Sequence, residues 1–341
     1  MMQIKNIPEN ISNEELLKLR IKDLPLKIQG TWLAECVDKL YAELDAKGIK
    51  FKPECYLADE WLAPDGEPVV GIPFFLAHPA LIKLEKQMML DVEGGTKQWC
   101  MQLLRHETGH AINYAYKLHS QKKWQQLFGH FHKEYPDTYR FRPYSKNFVR
   151  HLEDYYAQYH PDEDFAETFA VWLTPGIDWQ TEYKGWKALH KLEFIDELMR
   201  KISEKDLKIK KARKFWQAEK LTSTLQNYYK KKKSQYAEDF HDFHDINLKR
   251  IFPIADDQKN NLLLAAKLII KYRKNIIQTV SYWTGEKKYI IDGLIKLLIA
   301  RTKALGLFVS DPEPLAIMKL SIYITTLMMN YMYTGRLRGK K

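Results

Sequence analysis

The sequence predicts an α+β domain over residues 1–200, followed by a basic, mostly α-helical region over residues 201–341. Three observations carry this reading. Short apolar runs broken by turn formers are confined to residues 51–79, whereas apolar residues at helical spacing fill most of the remainder. The charge is also divided: the 341 residues carry net charge +11, with 54 Lys+Arg and 43 Asp+Glu. Residues 201–341 hold 29 Lys+Arg against 13 Asp+Glu, which leaves 25 against 30 for residues 1–200. With 45% hydrophobic and 13% aromatic residues and only 15 Gly and 14 Pro, a disordered or collagen-like chain is excluded. Cys36, Cys55 and Cys100 form no CxxC pair and read as reduced core thiols.

Leu16, Leu17, Leu33, Val37, Leu40, Tyr41 and Leu44 predict two short helices within residues 13–48, with spacing best over 31–47. The pieces FKPECYLADEW and VVGIPFFLAH flank a Pro64-Asp65-Gly66 turn signal, so a small sheet is expected there. Residues 97–118 predict a helix with Cys100, Leu103, Leu104, Ala111 and Tyr114 inward. Residues 121–159, rich in aromatic residues and His and interrupted by Pro136 and Pro143, read as loop with short helices. DEDFAETFAVWL, 162–173, reads as a helix opened by His160-Pro161 and stopped by Thr174-Pro175-Gly176. Beyond it a helix over 179–198, a basic segment over 208–233 and helices over 262–280, 289–303 and 315–333 are expected. The last has near-spanning length, but Lys319, Ser321, Thr325, Thr326 and Asn330 interrupt it, so a buried helix is expected and no membrane span.

The chemistry-bearing motif is His106-Glu107-Thr108-Gly109-His110 on the 97–118 helix. Residues four apart share a helical face, so the two imidazoles can converge on one metal ion, and Zn²⁺ suits that donor set. Glu107 is then placed as general base toward a water on the ion's open side. The metzincin arrangement, with its third His ten residues after the first, is excluded because positions 113 and 116 are Asn and Tyr; His119, His130, His132, His151 and His190 read mostly as surface or loop residues. An acidic residue from a second helix is the other solution. Glu163 and Glu167 lie four apart on the 162–173 helix, so one can bind the ion and the other support it.

LLRHETGHAINY together with YYAQYHPDEDFAETFAVWL resembles the gluzincin peptidases, and is similar to a bacterial family of zinc-binding metallopeptidases. The resemblance runs from about residue 52 to residue 199. It implies a gluzincin-like fold, in which a small sheet accompanies the HExxH helix and a Glu-bearing helix. It implies one Zn²⁺ per chain on His106, His110 and Glu163, with Glu107 as base and Glu167 orienting a ligand histidine. It also implies Tyr156 as donor to the oxyanion, with Tyr155, Tyr159, Tyr144 and His160 as local competitors. VVGIPFFLAHP fits either an edge strand that pairs with extended peptide or an ordinary core strand.

The expected function is zinc-dependent hydrolysis of peptide bonds, with a peptide or protein as partner. The first alternative is a non-catalytic, zinc-stabilised binding or regulatory protein with the same shell. The second is nucleic-acid or anionic-surface binding through the basic half, where Phe215, Trp216, Tyr228 and Tyr229 interleave with Lys and Arg. Solvated lysines on helix faces account for the same pattern, so nucleic acid is not the expected partner. The start MMQIKNIPENISNEELL shows no cationic segment followed by an apolar one, so a cytoplasmic location is expected, although a protein exported by another route carries the same signature.

Overall fold

The structure, a computed structural model, describes residues 7–8, 11–135, 142, 144–203, 212–234, 244–253 and 263–334. The opening six residues, Pro136, Pro143 and residues 208–211 and 262 of the segments discussed above lie outside the described residues. The chain is 63% helical with one two-stranded sheet, an α+β composition. It divides into two compact units, the second beginning at Lys230 and also taking in residues 88–91.

The first unit opens with α1 (Asn13–Lys18), held by a capping box between Ser12 and Glu15. Next comes α2 (Trp32–Ala46), whose Thr31 hydroxyl accepts from the Leu33 N–H. Leu33, Cys36, Val37, Leu40 and Leu44 form its buried stripe at the spacing the sequence shows. β1 (Glu54–Ala58) and β2 (Val69–Pro73) pair in parallel, Tyr56 opposite Gly71. The chain between them doubles back along β2, where Leu62 and Gly71 exchange both backbone hydrogen bonds, at 3.3 and 2.7 Å. All five residues of β2 are buried. VVGIP is thus a core strand whose outer side is already engaged at Gly71, and the edge-strand reading fails there. Gly71 suits this crossing, since a Cβ would stand 2.9 Å from the Ala58 Cβ and 2.4 Å from the tip of the Leu62 side chain, so neighbours would have to shift.

After α3 (Pro79–Met89), the chain forms α4 (Lys97–Tyr116), α5 (Lys122–Phe128) and α6 (Pro161–Leu173), with a 3₁₀ stretch at Glu153–Gln158 ahead of α6. The single helix expected over 179–198 is broken into α7 (Trp179–Glu182) and α8 (Ala188–Ser203), because Gly185 takes a φ of 79° between them. α4 and α6 pack face to face, and Gly109 is what permits their closeness: a Cβ there would lie 2.7 Å from the Ala166 Cα.

Residues 212–229 belong to the first unit although they lie in the basic part of the sequence. Gln217 bridges Ala58 on β1, Thr224 bridges Arg20, and the Tyr228 hydroxyl donates to the Asp59 carbonyl at 2.9 Å. The described part of the basic segment is therefore irregular from residue 212 to Thr224, apart from one 3₁₀ turn at Ala218–Lys220, and becomes α-helical only in α9 (Leu225–Ser234). The change in charge near residue 200 marks a change of surface, whereas the compact units divide at Tyr229/Lys230.

The second unit contains α10 (Asp245–Ile251), α11 (Ala265–Thr284), α12 (Lys288–Ala304) and α13 (Glu313–Thr334). Gly285 in the left-handed conformation ends α11. The core is aliphatic, with Leu268, Ile276, Ile291, Leu298, Leu320 and Ile324 all within 2% of complete burial. Arg301 pairs with Asp245 to tie α12 to α10, and Arg273 pairs with Asp292 across α11 and α12.

Candidate metal centre

α4 is capped by Thr96 and buried without interruption from Leu103 to Tyr114, a run that includes Arg105, His106, Glu107 and His110. Buried charges are tolerated only when partnered, and each here except Glu107 has a specific answer. Arg105 makes two 2.8 Å bonds to Glu43 of α2, a bidentate pair that fixes the helix. α6 begins with His160 as N-cap and Pro161 in its first turn, and places Asp162, Glu163 and Asp164 at its positive end.

The two helices bring three expected ligands together. His106 Nε2 lies 3.1 Å from His110 Nε2 and 3.1 Å from Glu163 Oε2, and His110 Nε2 lies 3.2 Å from that same oxygen. Ligands about 2.0–2.1 Å from a tetrahedral ion stand about 3.3 Å apart, so this triangle has the dimensions of one face of a zinc site. His106, His110 and Glu163 are all buried.

Each imidazole is aimed by its own carboxylate. His106 Nδ1 lies 2.8 Å from Glu167 Oε1, and Glu167 Oε2 accepts from the Leu152 N–H at 2.9 Å. His110 Nδ1 lies 2.9 Å from Asp162 Oδ2, and Asp162 also accepts from Asn113 at 2.7 Å and Tyr114 at 2.6 Å. With each Nδ1–H donated outward, both Nε2 lone pairs face the centre. Glu167 thus holds the His106 ring, and Asp162 does the same for His110. Asp162 was missed in the sequence, where it is one of three successive acids. The available signal was that the second histidine also needs a partner.

The electrostatics favour positive charge at the centre of the triangle. Burial pulls the His106 imidazole down, but its bonds to Glu163 and Glu167 outweigh this and carry it to about 10. Burial likewise opposes ionisation of Glu163, yet His110 and His106 hold its carboxyl well below the usual range. A field that stabilises an imidazolium there also stabilises a divalent cation. Glu107 differs from its neighbours, because its carboxyl is pushed up mainly by burial and has no hydrogen-bond partner among the described residues.

Asp164 is separated from the triangle by a different commitment. It pairs with Lys191 of α8 at 2.6 Å, and burial raises its carboxyl to about 7. Of the tyrosines, Tyr156 sits in the 3₁₀ stretch with its ring centroid 5.6 Å from that of His106, and burial raises its hydroxyl well above the ordinary value. Tyr155 precedes it with a left-handed φ of 56°. Tyr144 is 92% exposed, and His160 uses both ring nitrogens, toward Lys133 O at 2.7 Å and the Asp162 N–H at 3.2 Å. Tyr135, which sequence reasoning did not single out, stacks on His160 and bonds to Glu163 Oε1 at 3.0 Å. Nothing in its flanking sequence marks it. Among the other histidines, His151 bonds to the Gln102 carbonyl, His119 stacks on Phe131, His190 lies near Glu193, and His130 and His132 are exposed in irregular structure.

The centre could therefore hold a metal ion on two nitrogens and one oxygen, with a carboxylate and two tyrosines around it. No family model, curated protein or solved structure matches the chain, so the residues themselves carry its functional reading.

Proposed function

We propose that the first unit is a zinc metallopeptidase of gluzincin type. The single observation that carries this is the 3.1–3.2 Å triangle of His106, His110 and Glu163, with each histidine aimed by a separate carboxylate. A purely structural metal site is closed by a fourth protein ligand, whereas only these three protein groups form the cluster among the described residues.

When bound, Zn²⁺ supplies a Lewis acid that polarises a scissile carbonyl and makes a water acidic. The Glu107 carboxylate accepts the proton of the attacking water and returns it to the leaving amine nitrogen. Its elevated basicity follows from burial without a hydrogen-bond partner. Tyr156, kept protonated by its surroundings, donates to the oxyanion that develops on the carbonyl. Tyr135 holds the outer oxygen of Glu163, which leaves Oε2 directed at the two histidines.

The test is metal content followed by peptide-library cleavage. The expected result is about one zinc per chain, lost on chelation, and cleavage that disappears in Glu107→Gln while the metal stays. A fully metallated protein that leaves the library uncut points to the non-catalytic alternative. Failure to take up any divalent metal overturns the site itself.

A further inference from the structure

We propose that the exposed faces of α11 and α13 in the second unit dock onto an anionic lipid bilayer surface. α13 is apolar on both of its sides. Ala316, Leu320, Ile324 and Leu327 enter the core, yet Leu315, Met318 and Ile322 form a second stripe that is 37%, 52% and 59% exposed. A helix on the surface of a soluble unit carries polar residues on its outer face, and a helix apolar all round belongs in an apolar environment. Residues Glu313–Met332 are long and apolar enough to cross a membrane, but most of this stretch is not buried.

The neighbouring helix indicates what kind of apolar environment fits. On α11, Lys267, Lys271 and Lys274 are exposed at positions that share one helical face, with Ile270 beside them. Lys267 and Lys274 have no ion-pair partner among the described residues, while Lys271 pairs with Glu313 at 2.7 Å. That ion pair joins α11 to the first turn of α13, one residue from Ile270 and two from Leu315. At the other end of α11, Tyr282 and Trp283 are 79% and 73% exposed. Lysines, exposed aromatic residues and an aliphatic stripe together are the composition of an interfacial surface.

Charge selects the partner. Residues 230–341 hold 21 Lys+Arg against 10 Asp+Glu, so the whole net charge of +11 resides in this part of the chain. Such a surface is attracted to anionic headgroups, while two copies of it repel each other. The aliphatic stripe would enter the headgroup boundary, and the lysines would stay among the phosphates.

The experiment is flotation of the full chain with phosphatidylcholine vesicles and with vesicles that also contain phosphatidylglycerol. Flotation with the anionic vesicles alone, lost as salt is raised, is the expected result. The triple variant Leu315→Ser/Met318→Ser/Ile322→Ser should lose at least about tenfold in partitioning, since each substitution removes an apolar side chain that would enter the headgroup boundary. Because that variant could perturb the bundle, Lys267→Glu/Lys274→Glu tests the same surface from exposed positions, with a loss of at least about tenfold expected. Failure of the parent to float at low salt overturns the proposal. So does undiminished flotation of the charge-reversed variant, or equal flotation with phosphatidylcholine alone. A dimer that dissociates in the triple serine variant, with no vesicle binding, assigns the face to a second copy and likewise overturns it.

Discussion

α4 and α13 are the two helices in which polarity and burial are most nearly reversed. α4, 20 residues long, buries an arginine, two histidines and a glutamate; α13, 22 residues long, leaves leucine, methionine and isoleucine exposed. Both depart from the rule that apolar side chains go inside and charges outside, and they depart for different reasons. In α4 each departure is answered within the unit, by Glu43, Glu167 or Asp162, except at Glu107. In α13 the exposed stripe has no such internal answer. A misplaced polar group that is fully partnered marks a site already built, and one without a partner marks where a reactant or another surface is to enter.

This contrast can be broken in several ways. The largest effect is expected at Glu107. If its missing partner is the reacting water, Glu107→Gln lowers kcat by about 10²–10⁴-fold, measured as steady-state cleavage, with metal content unchanged. Full activity in that variant would falsify the assignment. Next in size, Glu163→Ala should weaken zinc retention in competition with a chelator much more than Glu167→Ala, whereas Glu167→Ala and Asp162→Ala should each lose about 10–100-fold. The reverse ranking would exchange the roles of Glu163 and Glu167. Arg105→Met leaves Glu43 buried and unpaired and is expected to destabilise by about 3–5 kcal/mol in denaturant unfolding. Gly109→Ala pushes a methyl against the α6 backbone and should reduce stability by about 1–3 kcal/mol, together with metal affinity, because both ligand helices must separate.

α13 supplies the opposite control. Leu320→Ala should cost about 2–5 kcal/mol in denaturant unfolding, while Met318→Ser changes stability by no more than about 0.5 kcal/mol. Equal effects at the two positions would mean that the exposed stripe is packed in solution. The smallest effect concerns Cys55, whose thiol burial raises to about 12 despite the Tyr41 hydroxyl beside it. Alkylation at pH 8 should leave Cys55 intact in the folded protein and modify it in denaturant, read by mass spectrometry.

Much of the centre was legible because a helix turns spacing into direction. His106 and His110 share a face by count alone, and so do Glu163 and Glu167. The partner of His110 was not legible. Asp162, Glu163 and Asp164 project in three directions from one turn, and only the packing of α6 on α4 decides that the first meets His110, the second the centre, and the third Lys191. Tyr135 escaped for a similar reason: it lies outside regular structure, where no periodicity links sequence position to direction. In the fold, the helices read from apolar spacing are present, while the parallel pairing of β1 and β2 was hidden. A Pro-Asp-Gly turn signals reversal, and reversal there lays Leu62 against β2 rather than creating the β1–β2 pair. The break at 183–187 could have been read from Gly185, which the aliphatic periodicity around it obscured.

The residues that surround the three ligands share one location in the chain. Tyr135, Leu152 and Tyr156 all fall between the end of α4 and the start of α6, whereas the ligands themselves sit on the two helices. In the proposed metallopeptidase, grip and selectivity would thereby be inherited on separate stretches of sequence. Insertions or substitutions within residues 129–160 can reshape what approaches the cation without disturbing the Gly109–Ala166 contact that sets the spacing of its holders. Diversity among proteins built on this plan should accordingly concentrate in that connecting stretch, with the two helices changing least.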